Sequence, residues 1–161
     1  MYQYVKATEL DLKECQNLKN QVVQRLIDEG MPIWNDEYPN DDCIKEDVLK
    51  GYARILKKED EIIAFAALMA ADEEFGKGVF EKNTASFSRL MVKSTFLHQG
   101  IGSYFVNCLT KEAKQMGYKA LGILVHDINE KAKTMYAKLG FDFLGKRQFE
   151  FGEFLLYQLN I

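Results

Sequence analysis

The stretch Gln99-Gly100-Ile101-Gly102-Ser103 decides the reading of this chain, because it joins two segments of different periodicity. Before it, Ser86-Phe87-Ser88-Arg89-Leu90-Met91-Val92 alternates polar and apolar residues, the pattern of a half-buried strand. After it, Ile101, Phe105, Cys108, Leu109, Ala113 and Met116 fall at helical spacing, with Lys111, Lys114 and Gln115 on the other face. Gly117 then stands where a helix stops. Two glycines therefore lie where a strand turns into a helix. A helix start exposes N–H groups without intrahelical partners, and its dipole favours negative charge there. Glycine lets a ligand approach that backbone closely, which suits a phosphate or pyrophosphate. The same spacing also serves simply to make a tight turn. It is neither of the two best-known nucleotide loops: no lysine stands between Gly102 and Ser103, and the third glycine of the dinucleotide pattern is replaced by Phe105.

Working outward, Ala120-Leu121-Gly122-Ile123-Leu124-Val125-His126 reads as a buried strand, and Asn129 to Phe141 follows it. Ala132, Met135, Tyr136 and Leu139 repeat at i, i+3, i+4, i+7, one face of a short helix. Asn129 is placed to cap its start and Gly140 to end it. An apolar strand, then Gly-Ile-Gly opening a helix, then a strand, then Asn-x-x-Ala-x-x-x-Tyr-x-x-x-Gly-Phe, resembles the GNAT superfamily of acetyl-CoA-dependent N-acetyltransferases. The combined signature runs from about Ser86 to Phe141. One position departs from the family pattern: Leu97 stands where the family usually carries Gln or Arg, three residues before the first glycine.

Length and composition bound the rest. At 161 residues the chain has the length of one domain, spanning 1–161. With 47% hydrophobic and 28% charged residues it is ordinary in composition, which suggests neither disorder nor a membrane protein. The net charge of −3 argues against a nucleic-acid partner, and no apolar run is long enough to span a bilayer. Cys15, Cys43 and Cys108 are odd in number and form no Cys-x-x-Cys pair, so a reduced cytoplasmic setting without a metal is the simplest reading.

In chain order, Tyr2 to Lys6 is an expected strand, and Thr8 opens a helix running to about Glu29 with Leu12, Cys15, Leu18, Val22 and Leu26 on or near one face, ended by Gly30. Met31 to Asn40 is a loop holding both prolines and the only tryptophan, and a short helix from about Asp41 to Lys50 ends at Gly51. Tyr52 to Leu56 and Ile62 to Ala71 read as strands joined by the polar turn Lys57-Lys58-Glu59-Asp60-Glu61. Asp72 to Ala85 is looser, and after Phe141 two strands are expected, Asp142 to Phe149 and Phe154 to Leu159, turning near Gly152. The fold class is α/β, a single mixed β-sheet with helices on both faces in the order β-α-α-β-β-β-α-β-α-β-β, GNAT-like.

The resemblance implies an acetyl transfer from acetyl-CoA to a primary amine by direct attack in a ternary complex. It assigns the pantetheine and thioester contacts to the backbone of Leu90, Met91 and Val92, and the pyrophosphate loop to Leu97, His98, Gln99, Gly100, Ile101, Gly102 and Ser103. Tyr136 matches the family tyrosine that protonates the departing sulfur or stabilises it; the same residue also fits a ring packed on the helix's core face. A thiol has a pKa near ~8.5 and tyrosine near ~10, so complete transfer is uphill by roughly 2 kcal/mol, and a hydrogen bond to sulfur is most of what the hydroxyl has to supply. Asn129 either bonds the pantetheine amides or caps its helix. The acceptor amine needs a base, and His126 and the run Asp72-Glu73-Glu74 are the titratable groups near the expected opening, each of which also reads as a solvated surface group. Trp34 and Tyr38 give rigid apolar surface beside Asp36, Glu37, Asp41 and Asp42, which either cover a cationic acceptor or plug the core with a wet acidic rim. The acceptor is a small amine or an exposed peptide amine, and a homodimer is left open. A second reading is an acyl-CoA-binding sensor or interaction domain without strong turnover.

Overall fold

β1 (Tyr2–Lys6) passes through a 3₁₀ turn at Glu9–Asp11 into α1 (Leu12–Asp28). There follow α2 (Asp41–Leu49), β2 (Ala53–Lys58), β3 (Glu61–Ala70), α3 (Ala71–Phe75), β4 (Thr84–Val92), a 3₁₀ turn at Ser94–Phe96, α4 (Ile101–Gln115), β5 (Ala120–Val125), α5 (Glu130–Lys138), β6 (Asp142–Phe149) and β7 (Gly152–Asn160). The computed structural model describes residues 1–161. The seven strands form one mixed sheet in the order β1-β2-β3-β4-β5-β7-β6, with β4 and β5 parallel and the pairs β1/β2, β2/β3, β5/β7 and β6/β7 antiparallel. The α/β class and the single mixed sheet flanked by helices are as the sequence predicts.

The chain divides into two compact units, Met1–Leu68 with Ser88–Cys108, and Met69–Phe87 with Leu109–Ile161. In the first, β1 pairs with β2 from Tyr2↔Lys58 to Lys6↔Arg54. β2 and β3 are joined at Glu59 and Asp60, whose φ values of 51° and 69° make the two-residue turn that matches strand twist. The expected five-residue turn is therefore tighter than read, and Lys57, Lys58 and Glu61 belong to the strands. Cys15, Leu18 and Val22 of α1, Ile44 and Val48 of α2, and Ala53, Ile55, Ile62, Phe65 and Met91 of the strands share one core, with Leu12, Leu26 and Trp34 packed against it. The five-residue stripe read along α1 is thus the stripe that is used.

In the second unit, β7 lies between β5 and β6, and Ala71, Phe80 and Leu156 form a core with Phe75, Val79, Leu124 and Phe149 against it. Phe80 rests on the bare backbone of Gly122: a Cβ there would lie 2.5 Å from the ring, closer than any real contact. Phe87, Tyr136 and Phe141, all buried, make a second aromatic group. Gly117 (φ 96°) and Gly140 (φ 91°) end α4 and α5 where expected.

Three expectations need correction. β4 is not half-buried with its polar residues outward: Thr84 and Ser86 are buried with Ala85 and Phe87, because the strand is interior to the sheet and covered on both faces. Met116 lies past the end of α4 and is 52% exposed, so it does not belong to the helix's apolar face. The looser stretch from Asp72 opens with a single helical turn, α3, whose first residues carry the acidic side chains that suit a helix start.

Ser86 Oγ is fully buried with no hydrogen-bond partner in the protein. A hydroxyl desolvated without compensation is a net cost. Ser86→Ala is expected to hold or raise stability by up to about 1 kcal/mol, a Tm gain of roughly 2–4 °C for a chain of this size. A Tm drop of that size in a thermal melt would show that the hydroxyl is satisfied.

Candidate functional site

Tyr104 N–H donates to the carbonyl of Gly100 at 3.0 Å, which makes Gly100 the residue that opens α4. The N–H groups of Ile101, Gly102 and Ser103 then have no acceptor inside the helix. In α2 and α5 the cap side chain fills part of that deficit: Asn40 Oδ1 accepts from Cys43 N–H at 2.9 Å, and Asn129 Oδ1 accepts from Ala132 N–H at 3.2 Å. A glycine cap brings no such acceptor. His98 (φ 61°) and Gly100 (φ 76°) are both left-handed, turning backbone that gathers successive N–H groups into a concavity suited to an anion. A side chain on Gly100 would meet nothing within 4 Å, so φ rather than crowding calls for glycine, and the space over the backbone is open. Gln99 Nε2 donates to Thr95 O at 3.1 Å and ties the loop to the preceding 3₁₀ turn, while Leu97 is half-buried and His98 exposed. A phosphate-bearing group fits this backbone.

The strand that feeds the loop is fixed at two points. Arg25 Nη1, from α1, donates to Val92 O at 3.1 Å and to Ser94 Oγ at 3.0 Å, and Lys93 N–H donates to Ile63 O at 2.8 Å. Val92's carbonyl is therefore already engaged. Upstream, Arg89 has φ 57°, left-handed backbone inside a strand, which costs a residue with a side chain about 1–2 kcal/mol. Its guanidinium grips Asp47 of α2 through Nε···Oδ2 at 2.7 Å and Nη2···Oδ1 at 2.8 Å, and Nη1 donates to Tyr38 Oη at 3.0 Å. Two charge-assisted bonds in a forked geometry are enough to hold such a conformation. Tyr38 thus reaches β4 from the 34–40 loop, while Trp34 packs on the core. Of the acidic residues, Asp41 is held by Lys19 at 2.8 Å, and Asp36, Glu37 and Asp42 are exposed.

From the sequence, neither Arg89 nor Asp47 reads as a site residue. One signal was available: Ile44, Asp47 and Val48 stand at i, i+3, i+4 on α2, so a carboxylate lies on the buried stripe and needs a partner.

In the second unit, Tyr136 is buried against Phe141 (ring centroids 5.3 Å apart) and Phe87 (6.0 Å). Burial raises its phenol pKa well above the ordinary ~10. Asn129 caps α5, its oxygen accepting from Ala132 N–H. His126 is not a solvated loop side chain: it is half-buried with its ring 4.4 Å from that of Phe154, and desolvation lowers its pKa. Glu74 is half-buried on α3. Cys15 is wholly buried, which pushes its thiol up to about 12 and leaves it an apolar filler. Trp34, Tyr38, Leu90–Val92 and Leu97–Ser103 accordingly lie in the first unit, and Glu74, His126, Asn129 and Tyr136 in the second. No three His, Cys, Asp or Glu side chains are grouped to hold a metal ion, and no helix is long and apolar enough to cross a membrane.

The acetyltransferase (GNAT) family model matches residues 19–141, and the chain belongs to that family. A GNAT-family acetyltransferase from Streptococcus agalactiae superimposes with a TM-score of 0.83 at 21% identity, over 99% of this chain and 95% of that one. An acetyltransferase from Salmonella typhimurium, solved with its cofactor acetyl-CoA, gives 0.72 at 18% identity over 99% and 94%. The ribosomal-protein-S18-alanine N-acetyltransferase of Escherichia coli gives 0.75 at 17% identity over 100% and 94%. No curated protein matches the chain in sequence.

His126 supplies a pH test of the site's local packing. Desolvation holds its folded-state pKa below the unfolded value near ~6.5, so the neutral ring is the favoured form. Its contribution to stability is then present above that value and fades as pH falls toward the folded pKa. An NMR titration should place the His126 midpoint below ~6.5, and Phe154→Ala should move it back toward that value. A midpoint at or above ~6.5 in the wild type would remove desolvation as the controlling effect.

Proposed function

We propose that the protein transfers an acetyl group from acetyl-CoA to a primary amine by direct attack in a ternary complex. The observation that carries the reading is the start of α4, where Gly100 leaves three backbone donors without a capping side chain in a chain of the acetyltransferase family. Acetyl-CoA supplies the activated acyl group as a thioester. Ile101, Gly102 and Ser103 would hold its pyrophosphate through their N–H groups, with His98, Gln99 and Leu97 shaping the approach. The backbone of Leu90 and Met91, and the N–H side of Val92, would carry the pantetheine arm and polarise the thioester oxygen. A contact from Asn129 would use its amide nitrogen or the second lone pair of the oxygen that caps α5.

Tyr136 addresses the leaving sulfur. Its raised pKa makes a full proton transfer to a thiolate even less favourable than the ordinary difference of roughly 2 kcal/mol, so its part is to donate a hydrogen bond that disperses charge. On the acceptor side, His126 is the better-suited base, because its lowered pKa keeps the imidazole neutral near neutral pH; Glu74 is the second half-buried candidate. Asp36, Glu37 and Asp42 supply an exposed acidic margin, and Trp34 and Tyr38 its rigid apolar part, which suits a cationic amine of modest size. The acceptor classes are an amino acid, a polyamine, an aminosugar or an exposed peptide amine.

Free-thiol release from acetyl-CoA across such a panel tests the activity, and a protein that binds CoA without releasing thiol would be a sensor instead. CoA at a hundred times its Kd should stabilise the fold by about 2.7 kcal/mol, a Tm shift of roughly 5–10 °C. Gly102→Val should remove that shift while leaving a folded protein, because a branched side chain blocks approach to the helix start. An undiminished shift would remove the glycine loop as the binding element.

Tyr136→Phe keeps the ring that packs on Phe87 and Phe141 and deletes only the hydroxyl. Stability and CoA affinity should change little, while kcat should fall by roughly tenfold to a thousandfold, the range for one charge-stabilising group. A wild-type kcat, with chemistry shown to limit turnover, would overturn the assignment.

A further inference from the structure

Leu90, Met91 and Val92 lie between two arginine anchors. Downstream, Arg25 holds the carbonyl of Val92 at 3.1 Å. Upstream, Arg89 is captured by Asp47, with side chains only 8% and 5% exposed, so the pair is screened from water and its geometry is fixed. The left-handed φ of Arg89 turns the strand at the residue where the stretch begins. Beyond it, Met91 enters the core of the first unit while Leu90 and Val92 remain partly exposed. The same guanidinium donates to Tyr38 Oη at 3.0 Å, joining the 34–40 loop to this turn.

We infer that Arg89 and Asp47 are positioning residues for acyl transfer: the bidentate pair, anchored on α2, sets the turn in β4 that aims the backbone of Leu90, Met91 and Val92 at the acyl donor. The inference rests on the reading that this backbone carries acetyl-CoA. A buried ion pair is a poor source of net stability, because desolvation offsets its Coulomb attraction, whereas its two parallel bonds define direction closely. Arginine suits the task where lysine does not, since the planar fork fixes the orientation of the group as well as its distance. Asp47 in turn is placed by the burial of Ile44 and Val48 on the same helical stripe, so α2 carries the carboxylate as a rigid arm.

Asp47→Asn keeps the shape and removes the charge; Arg89→Lys keeps the charge and loses the fork. Thiol release from acetyl-CoA, with lysine, spermidine, glucosamine and a short peptide with a free amino end as acceptors, should show kcat lowered roughly tenfold to a hundredfold in both folded variants, as expected for a small misalignment of reacting groups. Ile55→Val, which trims the same core from β2, an element that carries neither member of the pair, is the control and should keep kcat within about twofold of wild type at a comparable loss of Tm. CoA-induced shifts of the Leu90, Met91 and Val92 amide resonances should be clear in the wild type and reduced in Asp47→Asn. If Asp47→Asn does not fold, Arg89→Lys carries both measurements. Variants with wild-type kcat and wild-type amide shifts would overturn the positioning role, as would an equal kcat loss in Ile55→Val. A wild type whose amides ignore CoA would instead overturn the binding reading and the inference with it.

Discussion

A left-handed residue in the middle of a strand persists only if something outside the strand holds it, and in β4 the carboxylate of Asp47 does so. Much of the first unit serves to put that carboxylate in place. Asn40 caps α2, Lys19 of α1 grips Asp41 at its start, and Ile44 and Val48 bury its inner face. Arg25, also from α1, then secures the far end of the stretch that Arg89 begins. Two helices thus act on one strand through charged groups rather than through apolar contact alone. The apolar core supplies rigidity, and the arginines supply direction.

The start of α4 works by an opposite principle. There the protein withholds partners: a glycine cap leaves donors that asparagine caps elsewhere would have shared. Unmet hydrogen-bonding capacity at a helix start is tolerable where water or an anion reaches it, and the open space over Gly100 provides that access. The buried phenol of Tyr136 fits the same economy of means. Its burial favours the protonated form of the phenol.

What the sequence made legible was whatever is decided locally. The α1 stripe, the cap at Asn129, and the stops at Gly117 and Gly140 depend on residues within a turn of each other, and each is found where the spacing puts it. The fold class follows from the order of such segments. Other features depended on distant chain. Ser86-Phe87-Ser88-Arg89 reads as an alternating strand because period-2 patterning cannot announce that both faces will be covered, or that the backbone will reverse its hand at Arg89. The partner that permits the reversal lies 42 residues earlier, on another element. The burial of His126 is hidden from the sequence for the same reason, since Phe154, which shields it, comes from a strand that only the folded sheet brings alongside. Asp47 could have been noticed as a charge on an apolar stripe, but its partner could not have been named.

The contact between Phe80 and Gly122 constrains how this sequence can drift. Because the ring occupies the volume where any Cβ at position 122 would lie, the two sites are not free to vary independently. A lineage that gains a side chain at 122 first is trapped by the collision, whereas one that shrinks residue 80 first opens a void that a new side chain can then fill. Geometry therefore couples the two sites, and a smaller residue at 80 is the easier first step toward a side chain at 122.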